Sequence, residues 1–226
     1  MSTSRDTVLA SIRRALGVSG REAPRRHAVE DRITGHPVGV VPARGQLDPV
    51  ARLDLFKAQV LAAAGTLDHL ACAEDAPEAI ASYLRSRALP PGIRRGTDPR
   101  LSDLPWSRAP ALEVSIGPSD GDQLAGLSHA FAGVAESGTV VMLSGPDNPS
   151  TLNLLPDHHL VMVREEDVVG DYEAVWMRLR MCFGAGGMPR TVNWITGPSR
   201  SADIEQTLLL GAHGPRSLHV LLVARA

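Results

Sequence analysis

The amino-acid sequence predicts an α/β domain in which helices flank a mainly parallel sheet. Short runs of Val, Leu and Ile alternate along the chain with segments whose apolar residues recur at helical spacing. Strands that alternate with helices in this way favour parallel strand order and helices on both faces of the sheet. The 226 residues, 43% of them hydrophobic, suffice for one sizeable core.

Residues 1–46 predict an N-terminal helix followed by an extended basic linker. From about Ser4 to Leu16 the apolar residues recur at helical spacing, and Gly17 can end the helix. Residues 18–46 show no periodicity and are rich in Pro, Gly and Arg. This composition favours a solvated tether, or an arm that wraps a neighbouring subunit and so makes a homo-oligomer.

Residues 47–226 predict the α/β domain itself. Asp48 can cap a helix that starts at Pro49 and ends near Gly65. Further helices are predicted to begin at 75–78 and to cover Tyr172–Met181 and Asp203–Leu210. Strands are predicted at Leu67–Cys72, Leu112–Ile116, Thr139–Leu143, Leu160–Val163, Val192–Ile195 and Leu218–Val223, with a loop at 90–100.

Composition argues against several classes of function. A net charge of −2 gives no electrostatic basis for binding nucleic acid or an anionic membrane surface. Cys72 and Cys182 have no C-x-x-C companion, so they predict neither an iron–sulfur cluster nor a zinc site. With no membrane-length apolar run and a polar start, MSTSRD, the chain is expected to be cytoplasmic, without metal or cofactor.

The segment Thr196–Glu205, TGPSRSADIE, predicts an anion-binding loop. It follows the strand Val192–Ile195 and precedes a predicted helix, and ligands of α/β sheets bind where strands lead into helix N-termini. Backbone N–H groups near Gly197, the hydroxyls of Ser199 and Ser201 and the guanidinium of Arg200 would then converge on a phosphate or carboxylate. In the alternative interpretation Ser201 is an N-cap, and Asp203 only complements the helix dipole.

Two further loops carry residues capable of proton transfer. In AESGT (135–139) Glu136 is a candidate general base or nucleophile, or else an exposed loop acid. In GAHGP (211–215) His213 is a candidate proton shuttle or ligand, or a buried histidine bonded to the backbone. The segment NLLPDHH (153–159) adds His158 and His159, which would face opposite sides of a strand and therefore argue against a shared metal.

Taken together, these segments resemble the LutC/YkgG lactate-utilisation family, whose members carry a LUD domain. AESGTVVML, LLPDHHLVMV, TGPSRSADIE and GAHGPRSLHVLLV occur in the family's order and approximate spacing, over roughly residues 47–225. Ser137 and Ser201 stand where the family often has Thr, which keeps a hydroxyl at both positions. The motif positions include Glu136, Gly138, Thr139, Gly197, Ser199, Arg200, Asp203, Glu205, His213 and Gly214.

The resemblance implies a three-layer α/β/α domain of the sugar-isomerase/CoA-transferase type. It implies a role in bacterial oxidation of L-lactate to pyruvate, beside partner proteins that carry the iron–sulfur clusters. We expect Glu136, His213 and Asp203 as catalytic candidates. The anion-binding candidates are Gly197, Ser199, Arg200, Ser201, Gly138 and Thr139.

Three functions remain open at this point. The first is a component of a lactate-oxidising system, without iron–sulfur ligands of its own, that binds a small anion or its partner proteins. The second is a stand-alone enzyme acting on a CoA thioester or a sugar phosphate, with Glu136 as nucleophile or base. The third is a regulatory module that binds a ligand without turnover.

Overall fold

A computed structural model describes residues 3–184, 186–201, 209–211 and 213–224. The chain divides into two compact units, Met1–Val40 and Val41–Ala226. No helix among the described residues is both long and apolar enough to cross a membrane.

The first unit consists of two helices, α1 (Ser4–Leu16) and α2 (Ala23–Gly35). Helix α1 matches the prediction, with Thr3 as its cap and Gly17 in the left-handed region at its end. Helix α2 lies in the segment that the sequence predicted to be an extended linker. Its apolar face is too narrow to give a helical pattern, but Pro24 at its start and left-handed His36 after it delimit the helix.

The second unit contains the α/β domain. Its helices are α3 (Pro49–Ala62), α4 (Ala76–Ser86), α5 (Pro99–Ser102), α6 (Thr151–Leu154) and α7 (Tyr172–Phe183). Its strands are β1 (Thr66–Leu70), β2 (Gly92–Arg95), β3 (Glu113–Ile116), β4 (Ala125–His129), β5 (Ala132–Val134), β6 (Thr139–Leu143), β7 (His158–Arg164), β8 (Val168–Val169), β9 (Val192–Ile195), β10 (Arg200–Ser201), β11 (Leu209–Leu210) and β12 (Ser217–Val223).

A six-stranded sheet in the order β1-β12-β7-β4-β2-β3 forms the centre of the domain. Every pairing in it is parallel. Alternate residues of its strands point into two different cores. Leu160 and Leu221 pack on the side of α4, whereas Val161 and Val220 pack on the side of α3. The predicted α/β class with a mainly parallel sheet is therefore confirmed.

A smaller sheet in the order β8-β5-β6-β9 adds to the predicted architecture. In it β6 pairs antiparallel with both β5 and β9, while β5 and β8 are parallel. One face packs on the central sheet through Val140 and Met142, and the other packs on α7 through Val141, Val175 and Leu179. The strand predicted at Thr139–Leu143 thus belongs to this second sheet.

Six strands and the end of one predicted helix differ from expectation. Strand β2 lies within the predicted loop at 90–100, and β4 and β5 were not predicted, because their Arg, Gly, Ser and His residues interrupt any apolar run. The two-residue strands β8, β10 and β11 were not predicted either. The predicted end of the helix Asp203–Leu210 is wrong, because Leu209–Leu210 is a strand that pairs antiparallel with Arg200–Ser201. The remainder of that helix, with Asp203 and Glu205, lies outside the described residues.

Candidate functional site

A cavity of about 220 Å³ lies where three of the sequence motifs meet. One wall is formed by Thr196–Ser199 of the TGPSR loop (Thr196–Arg200), and a second is the HGP segment (His213–Pro215). The residues around the start of β7 complete it. The described lining residues are Asn153, Leu154, His159, Trp194, Ile195, Thr196, Gly197, Pro198, Ser199, His213, Gly214, Pro215 and Leu218. The structure thus brings together residues that are up to 65 positions apart in the chain (153 to 218).

The cavity lies at the amino ends of the central strands, not at their carboxyl ends. His159 and Leu218 pair with each other near the starts of β7 and β12. The TGPSR loop would lie at a carboxyl end only if β9 were part of the parallel sheet, as the sequence predicted. Strand β9 instead pairs antiparallel with β6 in the smaller sheet.

Hydrogen bonds centred on Ser199 hold the TGPSR loop against the HGP segment. The backbone N–H of Ser199 donates to the carbonyl of Pro215 at 2.8 Å. The N–H of His213 donates to Ser199 Oγ at 3.4 Å, and the N–H of Gly211 donates to the Ser199 carbonyl at 3.0 Å. The two motifs therefore form one wall, and the exposed His213 lies at its outer edge.

Two motif glycines allow their loops to approach helix α3. Gly197 has φ +69°, and a Cβ there would overlap the carbonyl oxygen of Ala63 at the end of α3. Gly138 also has φ +69°, and a Cβ there would overlap the backbone of Gln59 and Val60. Both positions demand glycine for conformation and for space. Only Gly197 lines the cavity; for Gly138 the structure shows a packing role.

The predicted anion ligands Arg200 and Ser201 are not among the described residues that line the cavity. Arg200 donates from Nη2 to the carbonyl of Ala63 at 3.0 Å. A guanidinium there complements the negative end of helix α3. Ser201 pairs with Leu209 in the short antiparallel ladder. Their anion-binding role therefore stays a prediction, as does the catalytic role of Asp203.

Two lining residues, Asn153 and His159, form a buried polar cluster with Ser128, which does not itself line the cavity. We call this cluster the cavity floor. All three residues are 0% exposed. Ser128 Oγ donates to Asn153 Oδ1 at 2.8 Å and lies 3.2 Å from His159 Nε2. Burial lowers the pKa of His159 to about 3, so this imidazole is neutral near pH 7.

A cluster of hydroxyls joins the AESGT motif to the cavity wall. Thr139 Oγ1 lies 2.6 Å from Thr196 Oγ1, 2.8 Å from the hydroxyl of Tyr172 and 2.7 Å from Ser137 Oγ. Thr139 is completely buried, whereas Thr196 lines the cavity. Thr139 therefore fixes the position of the TGPSR loop and does not itself face the cavity.

Glu136 is not the exposed loop acid of the alternative interpretation. It is 3% exposed, and its Oε1 accepts the N–H of Tyr172 at 3.2 Å, at the start of α7. Close backbone packing between Gly45 and Gly170 covers this site, since a Cβ on Gly45 would lie 2.5 Å from the Gly170 carbonyl oxygen and 3.5 Å from Glu136 Cβ. The helix dipole stabilises a carboxylate in this position. Glu136 is not among the described residues lining the cavity, and its catalytic role stays a prediction.

The chemistry of the described cavity lining favours a small, oxygen-rich ligand. It offers the hydroxyls of Thr196 and Ser199, the amide of Asn153 and two imidazoles. Across the described ranges, with their gaps at 185, 202–208 and 212, no Asp or Glu lines it. The volume is below the roughly 300–1,000 Å³ typical of drug-sized ligands. Among the same residues no group of three or more His, Cys, Asp and Glu is placed to hold a metal.

The sequence pointed to much of this site but not to its floor. Asn153 and His159 are part of the NLLPDHH motif, yet the alternation of His158 and His159 served only to argue against a metal. Ser128 lies in a strand that was not predicted. The two polar residues Ser128 and His129 that follow the apolar start of AGLSH are the signal that could have suggested it.

Comparison with known proteins agrees with this fold and these motifs. The sequence model of the LUD domain matches residues 53–223. Because that match covers most of the chain, the chain belongs to the LUD-domain family.

Curated relatives are similar over a shorter segment. "Lactate utilization protein C" of Halalkalibacterium halodurans is 36% identical over 102 residues, which is 44% of this chain and 44% of that protein. The protein of the same name in Bacillus subtilis is 36% identical over 100 residues, 44% of this chain and 42% of its own length. An uncharacterised protein of Neisseria meningitidis is 37% identical over 99 residues, with the same two shares, 44% and 42%. The chain therefore matches less than half the length of these relatives.

A solved structure supports the fold. The crystal structure of a DUF162 family protein from Deinococcus radiodurans is similar with a TM-score of 0.56 and 23% sequence identity. The similarity covers 78% of this chain and 99% of the other. At this identity the likeness concerns the fold.

Proposed function

We propose that this chain is a component of a bacterial L-lactate utilisation system, which oxidises lactate to pyruvate, and that its cavity binds a small carboxylate. The observation that carries the proposal is the convergence of the TGPSR loop, the HGP segment and the NLLPDHH motif on one cavity. Relatives that are 36% identical to this chain, over less than half of their own length, are named "Lactate utilization protein C".

The cavity lining supports an anionic ligand. Hydroxyl, amide and imidazole groups can donate hydrogen bonds to a carboxylate, and no described carboxylate side chain lines the cavity to repel it. The small volume suits lactate or pyruvate better than a whole nucleotide or coenzyme A.

We further propose that partner proteins with iron–sulfur clusters carry out the electron transfer, and that the system works in the cytoplasm. Cys72 and Cys182, the two cysteines of the sequence, lack the spacing that a cluster requires. Both are free thiols in the structure. We also propose that the N-terminal helices contact a partner or a second copy, because Val8, Ile12, Val29 and Ile33 are about half exposed or more.

The central experiment reconstitutes lactate-dependent dye reduction from this chain and its iron–sulfur partners. We expect dye reduction to require the chain. Unchanged activity when the chain is omitted would contradict the proposal. For the N-terminal contact, the variant Ile12→Asp should weaken co-purification with a partner or a second copy; an unaltered complex would exclude that contact.

The two other hypotheses are tested with the same protein. An enzyme acting on a CoA thioester or a sugar phosphate predicts turnover that Glu136→Gln abolishes, yet the burial of Glu136 away from the cavity does not favour it. A regulatory module predicts ligand binding while dye reduction proceeds without the chain.

A further inference from the structure

The cavity floor contains two buried polar atoms that have no hydrogen-bond partner among the described residues. These atoms are Asn153 Nδ2 and His159 Nδ1. Leaving a buried polar group unpaired costs about 1–3 kcal/mol, so two such atoms within one cluster call for a partner such as water, an ion or a ligand. Both residues line the cavity.

The hydrogen bonds around Ser128 determine which group donates and which accepts. The single hydroxyl proton of Ser128 is donated to Asn153 Oδ1. Ser128 Oγ can therefore only accept from His159 Nε2, which must carry the ring proton. Because the imidazole is neutral, His159 Nδ1 presents a lone pair. Asn153 Nδ2 presents N–H groups.

We propose that the floor recognises one hydroxyl group of the ligand, which donates to His159 Nδ1 and accepts from Asn153 Nδ2. A hydroxyl is the small group that can do both at once, whereas a keto oxygen can only accept and a methyl group can do neither. The ligand class is therefore a small 2-hydroxy carboxylate in preference to the corresponding 2-oxo acid.

A second part of the lining suits the carboxylate of such a ligand. Ser199 and His213 also line the cavity, and the bond from His213 N–H to Ser199 Oγ holds them together. The ligand would thus lie between a rim that binds the carboxylate and a floor that binds the hydroxyl. This inference rests on the proposed carboxylate-binding function and adds the preference for the reduced acid.

Calorimetric titration of the full chain with L-lactate, pyruvate and propionate tests this preference. We expect L-lactate to bind at least about tenfold more tightly than pyruvate or propionate, because each of these leaves a buried polar atom of the floor unpaired. Equal or tighter binding of pyruvate would overturn the inference, and so would the absence of lactate binding.

Variants of the floor locate the preference. His159→Phe and, independently, Asn153→Leu should reduce the ratio of lactate to pyruvate affinity to within about twofold. The matched control is His158→Phe, because His158 neighbours His159 but points to the other face, where its Nδ1 lies 2.9 Å from the Tyr83 hydroxyl. The His158→Phe variant should keep the full ratio of lactate to pyruvate affinity. Circular dichroism identifies folded variants, and a full ratio in either folded floor variant would also overturn the inference.

The dye-reduction assay separates this inference from the proposed function. If dye reduction requires the chain but lactate does not bind preferentially, the hydroxyl-recognition inference fails and the functional role stands. If lactate binds with the expected preference and dye reduction proceeds without the chain, the functional role fails and the binding site stands.

Discussion

Replacing Gly197 by Ala should destabilise the domain and disrupt the cavity together. A Cβ at φ +69° costs about 1–2 kcal/mol for backbone conformation alone. The same Cβ would overlap the Ala63 carbonyl oxygen, so the TGPSR loop must move away from α3. That movement also breaks the 3.0 Å bond from Arg200 to Ala63, worth about 1 kcal/mol. We therefore expect a loss of about 3 kcal/mol in the free energy of unfolding.

Urea denaturation and thermal melting measure this effect. For a chain of 226 residues a loss of about 3 kcal/mol corresponds to roughly 6–12 °C in Tm. Gly145→Ala is the matched control, because no atom lies within 4 Å of a Cβ there and its φ is not positive. It should change stability by no more than about 0.5 kcal/mol. If Gly197→Ala changed the free energy of unfolding as little as Gly145→Ala does, the inferred packing of the loop on α3 would be wrong.

Three further predictions concern groups around the site. Glu136→Gln should cost about 1 kcal/mol of stability by weakening the interaction with the α7 N-terminus, while lactate affinity stays within about twofold. Thr139→Val should cost about 2 kcal/mol, since Thr196 and Tyr172 lose a buried hydroxyl partner. Stability should also fall as the pH drops below about 6.5, because burial lowers the pKa values of three histidines. These pKa values are about 3 for His159 and about 4 for His129 and His219.

The sign of the pH effect follows from proton binding. Below the ordinary histidine value of 6.5 the unfolded chain takes up protons that the folded chain does not accept until about pH 4 or 3. Each histidine therefore contributes stability above pH 6.5, and this contribution falls by up to about 1.4 kcal/mol per pH unit below that value. His159→Phe should flatten the urea-derived stability profile between pH 6.5 and 4. An unchanged slope would contradict the neutral buried imidazole.

The remaining two predictions have separate readouts. If a folded Glu136→Gln protein lost lactate binding, Glu136 would have a role in ligand binding that its burial away from the cavity does not predict. Ser137→Ala serves as the comparison for Thr139→Val, because Ser137 contacts the same hydroxyls but is only partly buried. Ser137→Ala should lower the free energy of unfolding by less than Thr139→Val does. A Thr139→Val protein as stable as the wild type would exclude the hydroxyl cluster as the support of the TGPSR loop.

Local signals made most of the second unit predictable from sequence. Asp48 and Pro49 predicted the start of α3, and the apolar runs at β7 and β12 predicted strands that are buried on both faces. Strand β4 was not predictable in this way, because AGLSH becomes a central strand only through pairing with β2 and β7. Assignment of β9 to a second sheet likewise depends on partners distant in sequence.

In the candidate site, too, local sequence signals predicted some features, whereas others depend on contacts between distant residues. The motifs identified two of the walls, since their glycines and hydroxyls are recognisable wherever they lie. The environment of Glu136 was not predictable, because its burial depends on Gly45 and Gly170 meeting across the fold. The pairing of Asn153 and His159 through Ser128 depends on contacts between residues 25 and 31 positions apart in the chain.

A crystal structure of the chain grown with saturating L-lactate would show whether the cavity binds lactate. We expect ligand density in the cavity, with the hydroxyl within hydrogen-bond distance of His159 Nδ1 and Asn153 Nδ2 and the carboxylate beside Ser199 and His213. Lactate bound elsewhere, or a cavity without lactate at a concentration that saturates calorimetric binding, would contradict this expectation.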